Sequence, residues 1–211
     1  AAYGHVIMRM YDHVRRGEEV PIYKTLAEND IPVAGMVIGD GMVEGGLCGW
    51  LDEEHLLIEV HHPRENTTES EITKANEWGH QQYANIVKAQ DPDVDVRMSP
   101  GYGSREGTIH YSMIDRHTSV GKEEWYDPYL VEWMKSEMDW NFVEPPEDLV
   151  SIDTRGFARG PDTGVVLEPG KILTTDQYPK ATKWFESIGV EVVEVEVDSL
   201  VRPRNSGSIH C

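Results

Sequence analysis

Cysteine is nearly absent. The 211 residues contain two, Cys48 and Cys211. Two thiols cannot form a disulfide framework, so the chain reads as a protein of a reducing, cytoplasmic compartment, or as one in which a single thiol has a chemical task. Basic residues are scarce too: 19 Lys and Arg face 38 Asp and Glu, a formal net charge of −19. Such a surface repels polyphosphate backbones and anionic lipid, which argues against nucleic acid and membrane as partners. No apolar run approaches the roughly 20 residues that a membrane span needs. The opening AAYGHVIMRM lacks the basic region that precedes the apolar stretch of a secretory leader. No G-x-G-x-x-G opens a helix after a strand and no G-x-x-x-x-G-K-[ST] occurs, so neither common nucleotide cradle is supported. Zinc spacing is missing as well; His61 and His62 are adjacent and cannot easily ligate together from a strand. Neither a cofactor nor a metal is expected.

What is present reads as globular. Hydrophobic residues make up 39% and charged ones 27%, with 6 Trp, 9 Tyr and 3 Phe, more aromatic content than disordered chains carry. The length fits one large domain or two small ones with a real core. The acid excess reads as a solvated surface that maintains solubility, or as a field that steers a cationic substrate.

Hydrophobic period alternates between two and 3.6 residues along the chain. HVIMRM at 5–10 reads as a strand, 12–29 as a charged helix, and IPVAGMVI at 31–38 as extended. Segments 43–51 and 55–60 form a hairpin around Asp52-Glu53-Glu54. Ile72, Ala75, Gly79, Tyr83 and Ile86 share one helix face, preceded by Thr67-Thr68 with Glu71 in capping-box position. A strand over 93–98, a loop over 100–107 and a strand over 108–117 follow. Tyr126, Tyr129, Leu130, Trp133 and Met134 mark a second amphipathic helix, broken before Pro145-Pro146. Residues 164–167 and 171–175 form a hairpin across Glu168-Pro169-Gly170. Pro179 opens a third helix that Gly189 closes, and Val193, Val195 and Val197 alternate with glutamates in a half-exposed strand. Strand, strand, helix, strand thus recurs about three times, which implies an α/β or α+β architecture.

Residues suited to chemistry stand at the end of the sequence given. Cys211 ends a Gly/Ser-rich stretch, NSGSIHC. Backbone N–H groups in such a loop stabilise a thiolate, although spacing alone reads equally as an ordinary thiol. Arg202 and Arg204 stand ready to lower the pKa of that thiol or to bind a substrate carboxylate as a fork, or else to pair with surface acids. Cys48 reads as a small buried apolar residue.

Residues 164–211 resemble the C-terminal module of the arginine deiminase and amidinotransferase family, with two strands across a Pro-Gly turn, a helix, a strand GVEVVEVEV, and the ending G-S-I-H-C. That ending is similar to those of agmatine deiminases and glycine amidinotransferases. VEGGLCGWLDEEHLLIEVHHPRENTTESEI at 43–72 resembles the family's E-G-G-D segment, and YSMIDRHTSVG at 111–121 the segment after its H-x-D motif. The blocks occur in family order over most of the chain.

The resemblance implies a pentein fold, a β/α propeller of ββαβ modules around a pseudo-fivefold axis, incomplete in this chain. Residues 1–211 would be a single catalytic domain lacking an amino-terminal module and the tail after the nucleophile. It implies a cysteine-dependent hydrolase of a C–N bond in a linear amidine or guanidine, with an amidinotransferase as the alternative. A pentein of altered chemistry that serves as a binding protein is a third reading. Cys211 matches the nucleophile and Glu44 the glutamate that supports the catalytic histidine. Leu47 stands where the family has aspartate. The histidine falls at His110 if a short deletion is allowed; without a gap Glu106 occupies the position, and the two alternate onto one strand face. His110 is preferred because the step needs a group that titrates near neutral pH. Arg202, Arg204 and Glu106 are the expected substrate contacts, a small cationic or amidine-like molecule the expected partner, and a homo-oligomer stays open. His117 and Asp115 read as surface or structural.

Overall fold

A computed structural model describes residues 4–10, 14–60, 68–99, 113–149, 151–152, 158–159, 164–176 and 178–196. The chain divides into two compact units, residues 1–101 and 102–211.

The first unit opens with β1 (His5–Ile7), α1 (Glu19–Glu28) and β2 (Val33–Met36). β1 and β2 pair in parallel, Val6 opposite Gly35 and Ile7 opposite Met36, so α1 is a crossover. The charged helix expected over 12–29 begins only at Glu19. β3 (Cys48–Trp50) and β4 (His55–Ile58) then form an antiparallel hairpin, Cys48 opposite Ile58. The chain crosses through α2 (Glu69–Lys88) and returns as β5 (Asp95–Met98), parallel to β4 with Ile58 opposite Met98.

α2 shows how local chemistry defines an element. Thr68 accepts the Glu71 N–H and the Glu71 carboxylate accepts the Thr68 N–H, the reciprocal capping box that the sequence predicts. Its inward face presents Ile72, Ala75, Gly79, Tyr83, Ala84 and Val87. Gly79 is a steric requirement: a Cβ there would run into the Met42 carbonyl. β4 is central in its three-stranded sheet, and Leu56, Leu57 and Ile58 are all buried. Leu56 and Ile58 join Val37, Val43, Tyr83, Val87 and Val96 in one core.

The second unit repeats the pattern twice. β6 (Met113–Asp115) and β7 (Thr118–Val120) form a hairpin, α3 (Pro128–Met138) crosses over, and β8 (Asn141–Val143) pairs in parallel with β7. Asp127 caps α3 by accepting the N–H groups of Tyr129 and Leu130, with Pro128 in the first turn. A two-stranded antiparallel ladder, β9 (Ser151–Ile152) with β10 (Ala158–Arg159), intervenes. β11 (Val165–Glu168) and β12 (Lys171–Thr175) then turn through Gly170 at φ 77, α4 (Pro179–Ser187) crosses, and β13 (Glu191–Val195) pairs in parallel with β12. Ile114, Val120, Ile172, Ala181, Phe185 and Val190 form this unit's core.

Each complete repeat is thus hairpin, helix, parallel strand, a ββαβ module in strand order first–second–third. The sheets are small and separate, and none closes on itself among the described residues. One expectation needs correction. The single strand expected over 108–117 is, in its described part, the start of a hairpin, because His117 adopts φ 53 and turns the chain into β7. No glycine or proline marks that turn. β8 has no counterpart among the expected elements; Asp139 at φ 52 ends α3 and lets Asn141 begin a strand.

Candidate functional site

Glu44 is the one expected site residue among those described. Hydrogen bonds fix the backbone of the segment that leads to it. The Ile38 N–H donates to Gln82 Oε1 at 2.9 Å and Gln82 Nε2 donates to the Ile38 carbonyl at 3.0 Å, so α2 holds the chain leaving β2. Met42 N–H donates to the Ala75 carbonyl at 3.0 Å, and Val43 bridges antiparallel to Arg9. Glu44 itself is extended and half-buried, and its carbonyl accepts the Leu47 N–H at 2.9 Å to open the 3-10 turn Gly45–Leu47. Gly45, Gly46 and Leu47 make this tight turn into β3. Leu47, set against an aspartate by the resemblance, is a half-buried aliphatic side chain.

Topology gives this position its meaning. Because β3 runs antiparallel to β4 and Cys48 lies opposite Ile58, Glu44 enters the sheet at the carboxyl ends of β4 and β5. Ligands of parallel α/β sheets collect at that edge. Cys211, His110, Glu106, Arg202 and Arg204 lie outside the described residues. In the chain, Glu106 and His110 fall between β5 and β6, whose amino end Met113 pairs with Ser119. Arg202, Arg204 and Cys211 follow the carboxyl end of β13. In chain order, each of these segments thus comes after a strand that belongs to a parallel pair: β2, β5 or β13.

The described thiol is unsuited to nucleophilic work. Cys48 packs against the Val43–Tyr83 core. Burial pushes its thiol up to about 12, the Tyr83 hydroxyl lowers it somewhat and the Glu59 carboxylate adds to the rise. A thiol so placed stays protonated near neutrality.

A histidine–carboxylate pair that sequence reasoning passed over occupies the β3–β4 turn. His55 Nδ1 lies 2.8 Å from Asp52 Oδ1, which also accepts the N–H groups of Glu54 and His55, each at 2.8 Å. Partial burial raises the Asp52 carboxyl, but these hydrogen bonds and the nearby ring outweigh it and hold the group below the usual range. The pair lies at the amino end of β4, opposite the edge where Glu44 enters, so it locks the turn and does not belong to the site. His117 stacks on Trp140 with ring centroids 5.7 Å apart, and Asp115 Oδ1 accepts the Arg116 N–H, both structural contacts. A groove of about 520 Å³ runs along the outer face of α2 beside Trp78. Among the described residues no three His, Cys, Asp or Glu side chains are grouped to hold a metal, and no helix is long and apolar enough to cross a membrane.

No family model matches the sequence, and no curated protein matches it. Solved structures do. The chain is similar to the DDAH from Pseudomonas aeruginosa bound to citrulline, at 17% identity and TM-score 0.60, over 99% of this chain and 69% of that one. It is similar to the N-terminal domain of ArgZ, an arginine dihydrolase from the ornithine-ammonia cycle in cyanobacteria, at 14% identity and TM-score 0.57, over 90% and 63%. It is also similar to the agmatine deiminase of C. jejuni, at 12% identity and TM-score 0.54, over 98% and 65%. The chain spans about two thirds of the length of these structures. The fold is therefore akin to that of pentein guanidino-modifying enzymes.

Proposed function

We propose that this chain is a single catalytic domain of a cysteine-dependent hydrolase, cleaving a C–N bond of a linear amidine or guanidine in a reducing, cytoplasmic setting. The fold likeness to three enzymes that act on such groups is the observation that carries this reading. The E-G-G turn at Glu44, held at a carboxyl sheet edge, supports it further.

In this reading the Cys211 thiolate attacks the planar carbon of the substrate. His110 passes a proton to the departing amine as the C–N bond breaks, leaving a thiouronium on the sulfur. Water, deprotonated by the same histidine, then adds to that carbon and the thiolate leaves. Glu44 orients the imidazole and favours its cationic form. Arg202, Arg204 and Glu106 contact the substrate. With Leu47 in place of a carboxylate, the substrate cation must be held in part by other acids, since a buried unpaired charge is costly.

The test is a release assay for ammonia or amine with arginine, agmatine, methylarginines and simple amidines. Cys211→Ser is expected to abolish turnover, and His110→Ala to lower kcat by about a hundredfold or more. Turnover that survives Cys211→Ser overturns the reading.

A further inference from the structure

The acid that the resemblance sets at position 47 is missing, and the facing position across the hairpin carries one. Residues 47 and 59 continue the β3–β4 ladder one rung beyond Cys48 and Ile58. The Leu51 N–H donates to the His55 carbonyl at 2.9 Å, Gly49 lies opposite Leu57, and the Glu59 N–H donates to the Leu47 carbonyl at 2.6 Å. Hydrogen-bonded pairs of an antiparallel ladder recur every second residue, so Leu47 and Glu59 stand opposite each other, with Cα atoms about 5.5 Å apart. The Leu47 N–H in turn donates to the Glu44 carbonyl at 2.9 Å. The Leu47 backbone is therefore bonded to both acids, Glu44 and Glu59.

Strand alternation assigns the face. Leu56 and Ile58 join the core that includes Tyr83 and Val87 of α2, with Cys48 packed against it. Leu47, Leu57 and Glu59 therefore belong to the opposite face of the hairpin. Glu59 follows the carboxyl end of β4, the edge at which Glu44 enters. It is half-buried, and its charge adds to the rise of the Cys48 thiol, so the carboxylate stays close to the hairpin. A carboxylate drawn partly out of water at a ligand-collecting edge favours a cation over a neutral group.

We propose that Glu59 holds the amidinium or guanidinium of the substrate, supplying from across the hairpin the carboxylate that position 47 lacks. The assignment rests on the proposed function and deepens it: the acid that binds the cation has changed strands. Glutamate at the facing position is one methylene longer than aspartate, which gives it the reach to serve the same rung. Leu47 then contributes an apolar wall beside the planar cation, where the resemblance would set a second charge.

The test is binding by titration calorimetry on the whole chain, which requires no turnover. L-arginine and agmatine carry the cation; L-citrulline has a neutral ureido group in its place. Wild type is expected to bind L-arginine at least about tenfold more tightly than L-citrulline, the worth of one charge-assisted hydrogen bond. Glu59→Gln is expected to weaken L-arginine and agmatine by about tenfold or more and to leave L-citrulline nearly unchanged. Adding Leu47→Asp to Glu59→Gln is expected to recover most of that loss, because it returns a carboxylate to the same rung. A merely structural role for Glu59 would not be rescued from the opposite strand. Circular dichroism and melting establish that the variants fold, and the wild-type preference for the cation decides the matter if Glu59→Gln does not. No such preference in wild type, a folded Glu59→Gln that binds L-arginine as wild type does, or equal weakening of L-arginine and L-citrulline overturns the assignment. Cation binding that needs Glu59, without any C–N cleavage, would leave the assignment standing and remove the hydrolase; cleavage that survives Glu59→Gln unchanged would do the reverse.

Discussion

At the scale of single residues, environment separates groups that look alike in the sequence. Cys48 and Cys211 are both lone thiols, yet Cys48 faces Tyr83 and the core and is held protonated up to about 12. Asp52 and Glu44 are both acids near a hairpin, but Asp52 is spent on its own turn. Its depressed carboxyl makes a stability prediction with a definite sign. The folded-state value lies below the unfolded one, so the contribution is complete above the ordinary carboxylate range and is lost as pH falls through the folded-state value. Asp52→Asn should therefore melt below wild type at neutral pH, and the two melting curves should converge in acid. A constant gap down to pH ~2 would mean that the charge is not what the turn uses. Glu44 was singled out through the likeness of its segment to the family's E-G-G-D pattern, and the structure adds the 3-10 turn that follows it.

At the scale of elements, the helices were the legible part. α2 has a capping box, an apolar face at three- and four-residue steps and a glycine where the 42–44 segment crosses it. α3 and α4 each carry proline in the first turn. Short strands left a weaker trace: β6, β7 and β8 have three residues each, too few for alternation to show, and the turn at His117 uses a left-handed non-glycine residue. The contact between α2 and the segment before Glu44 leads to a second prediction. Gly79→Ala places a methyl group against the Met42 carbonyl, and backbone cannot yield as a flexible side chain can. It should cost at least about 2 kcal/mol in denaturant unfolding. In folded protein it should also lower activity, by displacing the segment that leads into Glu44. A Gly79→Ala variant as stable and active as wild type would mean that α2 does not set the position of Glu44.

At the scale of the whole molecule, three ββαβ modules follow a βαβ pair along the chain, and the segments with expected chemistry come after β2, β5 and β13 in sequence order. Sequence supplied the order of those modules through its turns and helix faces; separate small sheets became visible only through strand pairing. The net charge of −19 acts at this scale too. If it steers a cationic substrate, kcat/KM should fall several-fold between ~20 mM and ~200 mM salt while kcat stays constant. A salt-independent kcat/KM would assign the acid excess to solubility alone. The central claim is that one of the two thiols is an activated nucleophile, and alkylation tests it most directly. After brief treatment with iodoacetamide at neutral pH, peptide mass spectrometry should find Cys211 modified far ahead of Cys48, with activity lost in step. Equal labelling of the two cysteines, or full activity with Cys211 alkylated, would contradict the account.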